Sequence, residues 1–169
     1  MDAITKFRTD LQNWLVKNGF EKIDFVWDED FAYGIDTHEI HIGVEAFPEI
    51  SDWFEEFLVK EVGCHYTDII DPVKCFLHEL GHHETIHQFT DTELALFNFF
   101  KTTDDEEAST KEFLWTYWQV KDEWAANKWA VDFINEHIDA VCDLIDIYCN
   151  DWNNITDEYD VFELVGLPL

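Results

Sequence analysis

Residues 78 to 87 carry the pattern that most restricts the fold of this chain. They read HELGHHETIH, in which the unit His-Glu-x-x-His occurs twice in succession, from His78 to His82 and from His83 to His87. Two histidines four positions apart lie on one face of an α-helix, with Cβ atoms about 5–6 Å apart, so their imidazoles can converge on one ion. The pattern therefore predicts a helix with a metal site on one face.

The residues around the pattern favour the first unit as the metal site. Asp71 and Pro72 suit the cap and first position of a helix that extends to about Gln88. The first unit then lies in mid-helix, whereas the second approaches the helix end, where fraying makes fixed ligand geometry harder to maintain. Gly81 costs about 1 kcal/mol in a helix interior relative to alanine, so its presence indicates close approach by another backbone or by substrate.

A third ligand must come from elsewhere in the chain, because a catalytic zinc usually has three protein ligands and a fourth position for water. Glu123, in the segment EWAANKWAVDF, is the best candidate. Asn127 lies one helical turn after it, and the alanines between and beyond them permit close helix packing. An amide oxygen there can accept the far ring N–H of a zinc-bound histidine. Glu112 and Glu136 are alternative ligands at less suitable spacing.

The HELGH motif and the E-x-x-A-N-x-W-A segment that begins at Glu123 resemble the metallopeptidases of the ImmA/IrrE type, a branch of the gluzincin-like zinc peptidases. The resemblance implies that His78, His82 and Glu123 bind zinc and that Glu79 is the catalytic glutamate. In that chemistry zinc activates water, while the glutamate takes a proton from the water and later delivers it to the leaving amine.

The same resemblance implies a zincin-like domain, with a short strand beside the active-site helix, and a protein substrate such as a DNA-binding regulator. Trp129 stands where the family commonly has Phe, and the helical stretch after Phe133 departs from the family's usual continuation. A donor for the oxyanion of the tetrahedral intermediate is also required. His38, His41 and two tyrosines, Tyr66 and Tyr117, are open candidates for that role.

The periodicity of apolar residues predicts a single domain over residues 1–169, of the α+β class, mostly helical with a small β-sheet beside the active-site helix. The predicted elements are helix 3–18, strands 23–27 and 39–45, a helix introduced by Pro48 and Ser51 and closed by Gly63, helix 71–88, a helix capped by Thr90 or Asp91 and running through Phe100, a charged loop at 102–110, and two or three helices between residues 111 and 150.

Ten basic against 38 acidic side chains give the chain a formal charge of −28, which argues against direct nucleic-acid binding. The acidity is either a solubility feature or a means of attracting a basic partner. Four scattered cysteines, without a CxxC pair, favour reduced thiols. The lack of a leader or membrane-spanning stretch favours a soluble, cytoplasmic protein.

Two other functions fit the same sequence features. One is an acidic binding protein on a zincin scaffold, such as a phage-type inhibitor or DNA mimic. The other is a noncatalytic protein in which zinc supports folding and no coordination position is open.

Overall fold

The computed structural model describes residues 2–44, 48–101 and 110–169. Three strands form one sheet: β1 (Phe25–Asp28), β2 (Ala32–Gly34) and β3 (Glu39–Gly43). The helices are α1 (Ala3–Lys17), α2 (Pro48–Phe57), α3 (Asp71–Thr85), α4 (Asp91–Lys101), α5 (Lys111–Tyr117), α6 (Lys121–Glu136), α7 (Ile138–Ile147) and α8 (Asn153–Glu158). The described chain is thus α+β and mostly helical, as the sequence predicts.

The sheet has the order β1-β3-β2, with β1 parallel and β2 antiparallel to the central strand β3. Ile40 and Ile42 of β3 are fully buried, while Glu39 before them and His41 between them are partly exposed. This alternation is the signal that predicts β3, although Glu45 of the predicted strand lies outside the described residues. The sequence does not predict β2, since three residues are too few to show a period of two.

Apolar side chains of α1, the sheet and α3 form the core near the site. Phe7 on α1 stacks on Trp27 of β1, with ring centroids 6.0 Å apart. Trp14 donates its indole N–H to the carbonyl oxygen of Ala140, at 2.8 Å, which ties α1 to α7. On α3 the fully buried residues, Val73, Phe76, Leu77 and Leu80, share the inner face. This burial fixes the rotation of α3 about its axis, and so the direction of its histidines.

Helix α3 begins at Asp71, one residue earlier than predicted. Ile70, in extended conformation, holds the cap position and Asp71 is the first helical residue, so the prediction of Asp71 as the cap is wrong. The Asp71 carboxylate instead contacts Lys74 Nζ at 3.1 Å, in the first turn, where the helix dipole favours an acid. At the other end the chain tightens into a 3₁₀ turn, Ile86–Gln88, after Thr85.

The other predicted helix boundaries are close to those observed. Helix α2 continues as a π-helical turn, Leu58–Val62, that ends at Gly63, whose φ of 89° favours glycine. At the start of α4, Thr90 N–H donates to the Glu93 carboxylate at 2.9 Å, and Glu93 N–H donates to Thr90 Oγ1 at 3.3 Å. The predicted charged loop lies, except for Thr110, outside the described residues.

The stretch from residue 111 to 150 contains three helices, α5 to α7, within the predicted number. All four cysteines are free thiols. Among the residues that the structure describes, no helix has both the length and the apolar composition that crossing a membrane requires.

Candidate metal centre

Helices α3 and α6 come into close contact at Gly81. A Cβ added to Gly81 would lie 2.5 Å from the carbonyl oxygen of Ala126 and 3.0 Å from its Cα. Only glycine permits this separation, because a backbone cannot rotate out of the way as a side chain can. The close approach predicted at Gly81 is confirmed, and it brings the histidines of α3 within reach of Glu123 on α6.

The side chains of His78, His82 and Glu123 converge at this contact. The two histidine Nε2 atoms are 3.2 Å apart, and Glu123 Oε2 lies 3.1 Å from His78 Nε2 and 3.4 Å from His82 Nε2. Donor atoms about 2.0–2.1 Å from a tetrahedral zinc are about 3.3 Å from one another. The three predicted ligands therefore have the spacing that one zinc ion requires.

Asn127 fixes the orientation of His78. His78 Nδ1 donates to Asn127 Oδ1 at 2.8 Å, and Asn127 Nδ2 donates to the carbonyl oxygen of Trp118 at 3.5 Å. When the ring is neutral and its proton is on Nδ1, His78 presents the lone pair of Nε2 to the space between Glu123 and His82. The structure thus places Asn127 against the far ring nitrogen of His78, as the sequence predicts.

Burial and charge set the pKa values in this centre. Burial raises the pKa of Glu123, but its contacts with His78 and His82 outweigh that effect and hold the pKa well below its usual value. For His78, burial lowers the pKa, while the charges of Glu79 and Glu123 outweigh burial and raise it to about 9. The carboxylate of Glu123 is therefore ionised, as a metal ligand must be, whereas His78 has to lose a proton when it binds an ion.

Glu79 lies beside the three converging donors. Its Oε1 is 4.0 Å from His78 Nε2, compared with 3.1 Å for Glu123 Oε2. Burial is the main cause that raises the pKa of Glu79. A carboxylate in this position, with an increased affinity for a proton, suits a general base.

A cavity of about 180 Å³ opens onto the centre. The segment around β2 forms one wall, and α4 and α5 contribute further residues. Besides His78, Glu79, His82 and Glu123, its lining consists of Phe31, Ala32, Tyr33, Ile35, Asn98, Lys101, Tyr117 and Asp122. The sequence does not predict Tyr33, Lys101 or Asp122 at the site; Asp122, next to Glu123, is the one that adjacency in the chain can suggest.

Of the four candidate oxyanion donors, Tyr117 alone lines this cavity. His38 Nδ1 lies 2.8 Å from the hydroxyl of Tyr33, and His41 Nδ1 lies 2.7 Å from Asp28. Tyr66 is exposed. Burial, with the charge of Glu123, raises the pKa of Tyr117, so its hydroxyl stays protonated and able to donate.

The second His-Glu-x-x-His unit does not form such a centre. His83 Nδ1 lies 3.3 Å from the Tyr33 hydroxyl, and His87 is exposed in the 3₁₀ turn after α3. The alternative third ligands also lie elsewhere, since Glu112 lines a separate surface groove and Glu136 is exposed at the end of α6.

The charges around the centre fit a divalent cation. Glu79, Asp122 and Glu123 are all buried, and Lys101 is the basic residue among them: its Nζ is 2.7 Å from Glu123 Oε1 and 2.7 Å from Asp122 Oδ2. Three carboxylates and one ammonium leave an excess of two negative charges when the imidazoles are neutral. The nitrogen and oxygen donors are of the types that zinc binds.

In comparisons with known proteins, no family model, curated protein or solved structure matches this chain. The geometry of the centre therefore carries the functional conclusion.

Proposed function

We propose that this protein is a zinc-dependent peptidase. The observation that carries the proposal is the convergence of His78 Nε2, His82 Nε2 and Glu123 Oε2 within 3.4 Å of one another. These residues are the proposed ligands, held by Asn127. When bound, zinc acts as a Lewis acid and makes water a nucleophile at neutral pH.

The remaining residues of the centre have roles that follow from their positions. Glu79 accepts a proton from the attacking water and returns it to the leaving amine. Tyr117 donates its hydroxyl to the oxyanion that forms at the scissile carbonyl. Both side chains line the cavity.

The cavity wall suits a peptide. Within the described sheet, β2 pairs with β3 on one side only, and residues around β2 line the cavity. An extended peptide can add to such a strand through its main chain, which makes affinity independent of most side chains. This supports a protein substrate, and we infer a zincin-like domain of the ImmA/IrrE type that acts in the cytoplasm on a DNA-binding regulator.

The test is cleavage of a peptide library, measured by mass spectrometry. It compares variants at the corresponding glutamates of the two units, Glu79 and Glu84. Glu79→Gln should retain zinc and the fold but lose hydrolysis, because the amide cannot accept the proton of the water. Glu84→Gln, the equivalent change in the second unit, should cleave like the wild type. Undiminished cleavage by Glu79→Gln, or a zinc-loaded wild type that cleaves nothing, would refute the proposal.

The charge of −28 favours a second candidate, an acidic binding protein on the same scaffold. In that case binding to a basic partner survives Glu79→Gln and the wild type never cuts the partner. A structural zinc protein differs from both, since it unfolds when zinc is removed and has no open coordination position.

A further inference from the structure

A half-buried lysine lies beside the proposed zinc ligands, in a chain that has only ten lysine and arginine residues. Lys101 is the last residue of α4, and its side chain is 13% exposed. Its ammonium donates to Glu123 Oε1 and to Asp122 Oδ2, each at 2.7 Å. One oxygen of Glu123 therefore faces the lysine, while the other, Oε2, faces the two histidines.

Asp122 is a second carboxylate within reach of the same centre. It directly precedes Glu123 and is 1% exposed. Donor atoms of His82, Asp122 and Glu123 all lie within 4.8 Å of one another. Its other oxygen, Oδ1, is buried and has no hydrogen-bond partner in the part of the chain that the structure describes. Its contact with Lys101 thus holds only one of the two carboxylate oxygens.

An additional carboxylate ligand would change the kind of metal site. Catalytic zinc keeps one position for water or substrate, whereas sites with four protein ligands are structural. If Asp122 bound the ion together with His78, His82 and Glu123, no position would be left for chemistry. A second oxygen from Glu123 would have a similar effect.

We propose that Lys101 is a positioning residue that holds Asp122 away from the metal and limits Glu123 to one ligand oxygen, so that one coordination position stays open. This inference rests on the proposed function, because it concerns the same metal centre. If Lys101 only neutralised the charge of the carboxylates, its role would be structural. The positioning role and the structural role predict different results when Lys101 and Asp122 are replaced together.

The experiment replaces zinc by Co²⁺ and titrates the protein with azide, which binds at an open position and changes the visible absorption of the ion. Lys101→Met keeps the length of the side chain and removes its charge. Azide affinity should fall about 10-fold or more, the scale on which metal affinity or activity falls when a group that orients metal ligands is removed. Lys101→Met/Asp122→Asn should regain azide binding close to that of wild type. Lys111→Met, at the separate surface groove, is the control and should change nothing.

Each outcome bears on one proposal. Azide binding by Lys101→Met equal to wild type overturns the role of Lys101, as does a double variant that binds azide no better than the single one. If Lys101→Met does not fold by circular dichroism, the same titration on Lys101→Gln, which retains a donor for one carboxylate, decides between these outcomes. A wild type that takes up no Co²⁺ overturns the metal centre itself, and this inference with it.

Discussion

The two His-Glu-x-x-His units differ in the surroundings of their side chains and not in their spacing. His78 and His82 are buried and face Glu123, whereas His87 is exposed beyond the end of α3. A metal needs several donors at fixed positions, so identical spacing gives a site only where a third donor and an orienting partner are present. Because the repeat is so close in sequence, each residue of the first unit has a matched control in the second.

Replacement of His82 should abolish stoichiometric zinc binding. His82→Ala removes one of three converging donors, and two ligands do not hold zinc against dilution and a chelator. His87→Ala, the corresponding change in the second unit, should retain one zinc per chain. Metal analysis after dialysis against a weak chelator gives the answer, and zinc retained by His82→Ala at the wild-type level would contradict the assignment.

Tyr117→Phe should lower kcat roughly 10²–10³-fold with little change in KM, since loss of one oxyanion donor removes a contact made in the transition state. Zinc content should stay at the wild-type level, which separates this effect from damage to Glu123. Tyr66→Phe is the control, because Tyr66 is 39% exposed. Steady-state kinetics on one cleaved peptide give kcat and KM for each variant. An equal fall of kcat in Tyr117→Phe and Tyr66→Phe, or a change in KM alone, would count against the role of Tyr117.

At the scale of elements, the site depends on the contact between α3 and α6, which Gly81 permits. Gly81→Ala gains about 1 kcal/mol of helix propensity. The new Cβ meets the Ala126 backbone at 2.5 Å, and overpacking of this kind costs about 3 kcal/mol where no side chain can yield. We expect a net loss of about 2 kcal/mol in the free energy of unfolding, measured by denaturant titration of the metal-free protein.

The control for this prediction is Val16→Ala on α1, where the side chain is 54% exposed. Its free energy of unfolding should stay within about 0.5 kcal/mol of wild type. A Gly81→Ala variant as stable as wild type would show that the two helices separate without cost. Zinc affinity should fall in the same variant, because separation of the helices moves Glu123 away from the histidines.

The sequence predicts elements whose signal is local and leaves out those that tertiary contacts create. The spacing of His78 and His82, and of Glu123 and Asn127, is visible because each pair lies on one helix. By contrast, β2 exists through its pairing with β3, and Lys101 reaches the centre only because α4 folds back over α6. No local pattern marks such residues. Element boundaries also shift: Asp71 is one position off at a helix start, and the strand predicted at 23–27 is observed at Phe25–Asp28.

The charge of −28 is a property of the whole molecule that the metal centre does not explain. The balance of three carboxylates and one ammonium at the centre accounts for only two of those charges. Many of the other acidic residues that the structure describes are exposed, and the potential of such charges acts beyond contact distance. If the substrate is a DNA-binding regulator, it presents a basic surface, and attraction between the two proteins becomes part of recognition.

Association with that substrate should therefore slow as salt increases. Opposite net charges raise encounter rates by roughly 10–10³-fold at low ionic strength. Salt removes much of the gain, since the Debye length is about 8 Å at 0.15 M. The partner is first captured with Glu79→Gln, which binds without cutting, and its association and dissociation rates are then measured across a salt series. The association rate should carry most of the salt dependence, with the dissociation rate as the internal control. An acidic partner, or an association rate that does not change with salt, would mean that the acidity is a solubility feature. A basic partner that the wild type binds but never cuts would favour the acidic binding protein instead.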